Sequence, residues 1–166
     1  MTFANLAKGS SIFIDANTLV YHFIAHAQFG LSCTQLLERI ENQELYGYCS
    51  AHVLGEVVHR LMTIEACSRF GWPTQGIAAR LRSHPAELQQ LSKHRQALDE
   101  IQLMGIQILP VTGSSVSHGA DLSIQHGLLI NDAICVAQML AQKLQQIASN
   151  DTDFDRVPGI VRFSPI

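Results

Sequence analysis

A short apolar run near the amino terminus, Ile-Phe-Ile at positions 12–14, is followed directly by Asp15. Three such side chains in a row are typical of a strand that is buried on both faces, as in a parallel sheet. An acid that follows this strand lies at its carboxyl end, where open α/β sheets bind their ligands. Because a carboxylate beside the core costs free energy unless a cation lies next to it, we expect Asp15 to have a positively charged partner.

Strand-like and helix-like segments alternate along the rest of the chain. Strands are predicted at 45–50, 106–111, 146–149 and 160–163, and helices at 34–42, 51–70, 112–127 and 131–140. A first helix, capped by Asn17 or Thr18, should reach Phe23 or beyond, with Gly30 as its stop. One short and one longer helix, separated before Pro85, are expected between 74 and 104. This alternation predicts an α/β fold, a three-layer α/β/α sandwich with a mainly parallel central sheet.

The composition is that of a packed globular protein in a reducing compartment. The chain has 166 residues, is 47% hydrophobic and carries a formal net charge of −3, so any surface that binds nucleic acid must be local. Its four cysteines lack metal-binding or disulfide spacing, and we interpret them as core residues. No segment resembles a signal peptide or a membrane span, so we expect a cytoplasmic protein of one domain, residues 1–166, with no membrane partner.

Four acids have matching positions relative to the predicted strands. Asp15 and Asp151 directly follow strands. Glu56 lies early in the helix after the second strand, and Asp132 opens the helix before the fourth. Since parallel strands end at the same edge of a sheet, these side chains should gather there. Two carboxylates about 4 Å apart repel by roughly 4 kcal/mol at an effective dielectric constant of 20, so a ring of them requires a cation.

The oxygen ligands of these acids favour a hard ion, Mg²⁺ with Mn²⁺ as a possible substitute, over zinc. One such ion, or a pair about 3.5–4 Å apart, can activate a water molecule and stabilise the leaving oxygen of a phosphodiester. The residues alone also permit a structural interpretation, because an acid at a helix N-terminus stabilises the helix dipole. Glu56 and Asp132 would then be caps or solvated acids, and Asp153 and Asp155 would be turn residues.

Four segments of the chain, in the same order, resemble the PIN-domain ribonucleases and especially the VapC-type toxins of prokaryotic toxin–antitoxin pairs. They are Ile-Phe-Ile-Asp-Ala-Asn at 12–17, Gly-Glu at 55–56, Leu-Ile-Asn-Asp-Ala at 129–133, and the segment 149–159. The last two are the most specific, and the resemblance runs from about 11 to 166. It implies a PIN-like fold, an endoribonuclease that cleaves RNA with a metal-activated water, a homodimer and a cognate antitoxin.

The resemblance also assigns roles to individual residues. The metal-binding acids of the family, which are also its catalytic residues, match Asp15, Glu56, Asp132 and Asp151. Asp153 is an alternate metal ligand for the last of these. Asn17 and Ser149 match supporting positions that orient a ligand or a water. The chain departs from compact toxins of this type in an extended helical segment at about 67–103.

Two other functions fit parts of the pattern. A haloacid-dehalogenase-like phosphatase also begins with a strand that ends in an Asp, but it needs a second acid where Asn17 stands. Asn cannot donate and recover a proton in that way. A catalytically silent PIN-like module would only bind RNA or a partner, and the presence of all four acids favours activity over this alternative.

The extended helical segment holds five of the 11 basic residues: Arg69, Arg80, Arg82, Lys93 and Arg95. A local basic patch can contact RNA phosphates, and Trp72 can stack on a base. The alternatives are solvated helix faces with ordinary ion pairs and a tryptophan packed on the core. The sequence leaves both interpretations open.

Overall fold

A five-stranded parallel sheet forms the centre of the computed structural model, which describes residues 1–166. The strands are β1 (Ser11–Ile14), β2 (Tyr46–Ser50), β3 (Gln107–Leu109), β4 (Gln146–Ala148) and β5 (Val161–Phe163). Their order across the sheet is β3-β2-β1-β4-β5, with every neighbouring pair parallel. β1 is therefore central, and its three apolar residues are fully buried, as the sequence predicts.

Helices flank this sheet, which confirms the predicted three-layer α/β/α sandwich. They are α1 (Ala16–Phe23), α2 (Gly30–Glu41), α3 (Ala51–Phe70), α4 (Ile77–Ser83), α5 (Pro85–Leu88), α6 (Lys93–Leu103), α7 (Gly113–His126) and α8 (Ile130–Ala141). Short 3₁₀ turns lie at Phe3–Asn5 and Thr152–Arg156. The four cysteines are free thiols, three of them buried. None of the helices is both long enough and apolar enough to cross a membrane.

The cap of α1 differs from the prediction. Asp15 itself is the N-cap, and its Oδ1 accepts a hydrogen bond of 2.7 Å from the backbone N–H of Ala16. The predicted cap at Asn17 or Thr18 is wrong because the strand turns into the helix one peptide after β1 ends. The acid is thereby fixed to the backbone at the helix start.

Gly30 has a different role from the predicted helix stop, because it is the first residue of α2. A Cβ atom at this position would lie 3.0 Å from the carbonyl carbon of Ala25 and 3.2 Å from the carbonyl oxygen of Tyr21. The glycine therefore allows the chain to pass close to the end of α1. Helix α2 begins four residues earlier than the predicted span of 34–42.

The region between α3 and β3 contains three helices, whereas the sequence pattern predicts two. The third, α6, begins at Lys93 because a distant side chain caps it. The buried carboxylate of Glu65 in α3 accepts hydrogen bonds from the backbone N–H groups of Ser92, at 3.1 and 3.2 Å, and of Lys93, at 2.9 Å. The side chain of Ser92, which occupies the N-cap position, makes no capping hydrogen bond.

A second apolar cluster attaches the beginning of the extended segment to the rest of the chain. Its buried members are Ala66, Ile77, Leu81 and Leu91. Ile77 and Leu81 belong to α4, and they pack this helix against the C-terminal end of α3. The segment thus packs on an apolar cluster of its own, which is separate from the main core around the sheet.

The capping by Glu65 predicts an unusual stability pattern. Glu65→Ala should lower the free energy of unfolding by about 1–2 kcal/mol, since it removes the carboxylate that accepts the first N–H groups of α6. Ser92→Ala should change it by less than about 0.5 kcal/mol, because that hydroxyl caps nothing. Urea denaturation, monitored by circular dichroism, measures the free energy of unfolding of both variants. A loss at Ser92 as large as the loss at Glu65 would contradict this account.

Candidate active site

The carboxyl end of β1 lies where the order of strands across the sheet reverses. The chain proceeds from β1 to β2 and β3 on one side, then returns to β4 and β5 on the other. β1 and β4 are hydrogen-bonded neighbours, with Phe13 opposite Ile147 and Ile14 opposite Ala148. In doubly wound sheets the loops diverge at such a switch point and leave a crevice for a ligand. Asp15 and the loop after β4 border this crevice.

A depression of about 340 Å³ opens at the switch point. Its lining residues come from α1, α3, α8 and the loop after β4, and they are Asp15, Asn17, Tyr21, Glu56, Arg60, Asp132, Asn150, Asp151 and Thr152. Four of the nine are the acids predicted to meet at this edge. Another depression, of about 300 Å³, is lined by three glutamates, but these belong to α2 and α6 and do not follow strand ends. The sheet topology therefore brings together carboxylates that are widely separated in the chain.

Asp15 is the most buried acid of the depression, with only 8% of its surface exposed. Its Oδ2 accepts a hydrogen bond of 2.6 Å from the hydroxyl of Ser149 and another from the side-chain amide of Asn17. Burial outweighs these donors and raises the pKa of Asp15 from 3.8 to about 6. The partners of Asp15 are neutral, and none of the ion pairs in the chain includes it. The expected positively charged partner is therefore not a side chain.

Ser149 and Asn17 form a polar network that ties α1 to the loop after β4. The Ser149 hydroxyl donates to Asp15 and accepts from the Asn17 amide at 3.0 Å and from the backbone N–H of Asp151, also at 3.0 Å. The Asn17 carbonyl oxygen accepts from the backbone N–H of Asn150 at 3.1 Å. Both residues predicted to support the site thus contact Asp15, and they fix the start of the loop that carries Asp151.

Asp132 lies in the first turn of α8 and is partly buried. Loss of hydration raises its pKa from 3.8 to about 6, and the negative charges of Asp151 and Glu56 act in the same direction. Burial and neighbouring negative charges also raise the pKa of Asp15. The depression therefore has too little positive charge to balance its acids. A cation in it would favour the ionised form of both acids.

Arg60 is the single cationic side chain in the lining, and the sequence analysis missed it. Its Nε lies 3.6 Å from Oε1 of Glu56, one helical turn away on α3, and both side chains are substantially exposed. The spacing of four residues within a helix is the signal that could have identified this pair. Exposed pairs of this kind add little stability, so Arg60 can exchange its partner at small cost.

Asp153 and Asp155 do not line the depression. Asp153 forms an ion pair of 2.8 Å with Arg156 within the 3₁₀ turn, and Asp155 pairs with Arg162 at 2.8 Å. The hydrogen bonds from Arg162 lower the pKa of Asp155. The backbone N–H of Asp153 donates to Oδ1 of Asp151 at 2.9 Å, so Asp153 supports the loop.

The donor atoms in the depression fit a hard divalent cation, since all four acids offer carboxylate oxygens and no thiol or imidazole lines the space. The acids surround the depression without converging on one point. No three Asp, Glu, His or Cys side chains lie close enough together to hold one ion as they stand. The residues therefore fit a hard cation by the type of ligand they offer.

Known proteins share this sequence pattern and fold. The family model of the PIN domain matches residues 12–160. The chain is 28% identical over 150 residues to Ribonuclease VapC2 of Methanocaldococcus jannaschii. The match covers 89% of this chain and 89% of that protein.

Solved structures show the same architecture. The toxin–antitoxin complex from Klebsiella pneumoniae gives a TM-score of 0.58 at 17% identity, over 93% of this chain and 98% of that one. VapC20 of Mycobacterium tuberculosis, a toxin that cleaves the sarcin–ricin loop, gives 0.61 at 17% identity, over 87% and 92%. At this identity the structures establish a common fold, and the family model extends across nearly the whole chain. The resemblance found in the four sequence motifs is thereby confirmed, and the chain belongs to the PIN domain family.

Proposed function

We propose that this chain is a metal-dependent endoribonuclease and the toxin of a toxin–antitoxin pair. The observation that carries the proposal is the meeting of Asp15, Glu56, Asp132 and Asp151 in one depression at the switch point of a PIN-domain sheet. The similarity to Ribonuclease VapC2, and to a toxin that cleaves the sarcin–ricin loop, supports RNA as the substrate.

In this proposal the four acids hold Mg²⁺, or Mn²⁺ as a substitute, and Asp153 is an alternate to Asp151. A bound divalent ion lowers the pKa of a water molecule and offsets the charge that develops on a phosphodiester. Ser149 and Asn17 hold the Asp15 carboxylate in one orientation, so that its oxygens face the depression without rearrangement. No side-chain nucleophile is required.

Arg60 has a separate role in the proposal. Its guanidinium borders the same depression and is held loosely by Glu56. An arginine can donate two parallel hydrogen bonds to a phosphate. We assign Arg60 to binding the scissile or an adjacent phosphate, because the other charged groups of the lining are acids and would repel a phosphate.

The remaining parts of the proposal concern assembly. The Klebsiella complex supports a cognate antitoxin as partner. We also propose a homodimer, which the family resemblance implies, and the cytoplasmic location that the sequence leads us to expect. Residues 1–166 are taken as one PIN-like domain in which the extended helical segment is an elaboration.

Loss of single acids should strongly slow RNA cleavage. Asp15→Asn and Asp132→Asn are each expected to lower the rate at least about a hundredfold with Mg²⁺ or Mn²⁺, since each removes a charge that the ion requires. Asp155→Asn is the matched control, because Asp155 lies outside the depression in a pair with Arg162. Gel assays of a labelled RNA measure all three. Cleavage that survives EDTA or both substitutions would refute the mechanism, and a natural chain that cuts no RNA would favour the silent binding module.

The raised pKa of Asp132 predicts a pH-dependent stability difference. Between 3.8 and about 6 the folded chain binds more protons at this group than the unfolded chain, so its ionisation destabilises the fold as pH rises. In EDTA, Asp132→Asn should therefore be more stable than the natural chain at pH 7.5 by roughly 1 kcal/mol, after allowance for solvent screening.

The advantage of Asp132→Asn should vanish below about pH 4, where the natural side chain is also neutral. Added Mg²⁺ should raise the melting temperature of the natural chain more than that of the variant. Calorimetric melts across the pH range measure both effects. An advantage of the variant that is independent of pH would show that the carboxylate charge is not its cause.

The assignment of Arg60 makes a kinetic prediction. Arg60→Gln should lower kcat/KM by about 10- to 100-fold, the equivalent of one charge-assisted hydrogen bond, with the melting temperature unchanged. Arg60→Lys should recover part of the loss, because it keeps the charge. Arg95→Gln removes another helical pair of the same spacing, with Asp99 on α6, and should leave kcat/KM unaltered. Equal effects of Arg60→Gln and Arg95→Gln would contradict the assignment.

A further inference from the structure

The three arginines that have no carboxylate partner lie in one stretch of the chain. Five of the eight arginines form ion pairs with Asp or Glu, at positions 39, 60, 95, 156 and 162. The others are Arg69, Arg80 and Arg82, and all three are exposed. No acid occurs between positions 66 and 86. The formal charge of this stretch is +3, in a chain whose net charge is −3.

The acids that flank this stretch do not neutralise it. Glu65 is buried, and its carboxylate accepts the backbone N–H groups at the start of α6. Glu87 follows in α5 and forms no ion pair with an arginine within 4.0 Å. The positive charge is therefore presented to solvent.

Aromatic rings hold two of these arginines in place. The guanidinium carbon of Arg80 lies 5.7 Å from the ring centroid of Trp72, and that of Arg69 lies 5.8 Å from the ring of Phe70. Trp72 in turn packs against Phe70 at 4.9 Å and His84 at 5.1 Å. A guanidinium above a ring keeps its in-plane N–H groups available for a phosphate.

Arg80 and Arg82 have the most available donors. Arg69 donates to the backbone carbonyl of Gln90 at 2.6 Å, whereas neither Arg80 nor Arg82 donates a side-chain hydrogen bond within the chain. Both flank Leu81, whose burial fixes α4 on α3. The two charges thus stand on either side of a helix that is already packed, which limits the entropy lost when they bind a ligand.

We propose that Arg80 and Arg82, with Trp72 beside Arg80, bind the sugar–phosphate backbone of RNA at a site separate from the active site. We call this the α4 surface, defined by Trp72, Arg80 and Arg82. The inference rests on the proposed function, which makes RNA the substrate. The active-site edge is lined by four acids and one arginine, so it offers a polyanion little attraction without help from elsewhere.

The length of α3 relates the two sites. Thirteen residues separate Glu56 at the acidic edge from Arg69 at the other end of the helix, a distance of roughly 20 Å at 1.5 Å per residue. This is about six nucleotide steps at 3.4 Å each. The α4 surface would therefore contact RNA several nucleotides away from the cut, and it would add affinity without choosing the scissile bond.

Binding in EDTA tests the α4 surface without cleavage. The probe is a fluorescein-labelled 20-nucleotide RNA of random sequence, and its anisotropy gives Kd at several KCl concentrations. Arg80→Gln/Arg82→Gln should raise Kd by about five- to tenfold and reduce the slope of log Kd against log salt by about 1.4, or about 0.7 for each lost phosphate contact. Arg80→Lys/Arg82→Lys should keep the slope.

Lys8→Gln/Lys143→Gln is the matched control. It removes the same two charges from exposed residues without ion pairs, just before β1 and β4, at the edge of the sheet opposite the active site. Its Kd and slope should equal those of the natural chain. Circular dichroism melts verify that the variants fold. If the double variant is unstable, Arg82→Gln alone is measured instead, and half of the slope change is expected.

An unchanged slope in Arg80→Gln/Arg82→Gln, or an equal change in the lysine control, would overturn the proposal. So would polyglutamate that displaces the RNA at equal charge concentration, since the surface would then suit an acidic protein. These outcomes are distinct from failure of the proposed function, which the cleavage assay tests through the acids. A chain that cleaves RNA with an unchanged salt slope loses only the α4 surface.

Discussion

The carboxylate of Asp15 is buried at the end of the central strand, and neutral groups alone hold it there. The Ala16 N–H, the Ser149 hydroxyl and the Asn17 amide contribute its hydrogen bonds, but together they do not offset the loss of hydration. A shift of about two pKa units corresponds to roughly 3 kcal/mol of unfavourable ionisation at neutral pH. The surrounding core must supply this free energy, and β1 can hold the acid because both neighbouring strands and the apolar layers bury it. A cation in the depression would remove much of the cost, so stability and metal affinity are linked at this residue.

Local patterns in the sequence were sufficient for most of the scaffold. The run at 12–14, the Ser50 cap and the helical spacing after it predict β1 and α3, because each depends on neighbours along the chain. The four acids could be identified for a related reason. In a parallel sheet, residues just after strands lie at its carboxyl edge, so position in the sequence is enough to place them there. The sequence could not show that Ser149 would reach Asp15 across 134 positions, or that Glu65 would cap a helix 27 residues away. Those contacts exist only after packing has brought the elements together.

Asp153 illustrates the limit of position alone. It stands two residues from Asp151, and a strand-like loop would place both side chains on the same side. The chain instead forms a 3₁₀ turn over Thr152–Arg156, and this turn brings Asp153 within 2.8 Å of Arg156, three residues ahead. The turn and its arginine therefore determine which of the two neighbouring acids lines the depression. A prediction of the ligand set requires knowledge of that backbone.

The separation of acids from unpaired arginines has a physical rationale. An arginine within reach of the acidic edge pairs with a carboxylate, as Arg60 does with Glu56, and it would then compete with a metal ion for the same oxygens. A substrate with many phosphates nevertheless needs positive charge on the protein. The Debye length is about 8 Å at physiological ionic strength, so charges roughly 20 Å apart along α3 scarcely influence one another. Arginines at the far end of that helix can attract RNA without lowering the affinity of the acids for a cation. The length of α3 and the apolar cluster that anchors α4 to its end make the two requirements compatible in one chain.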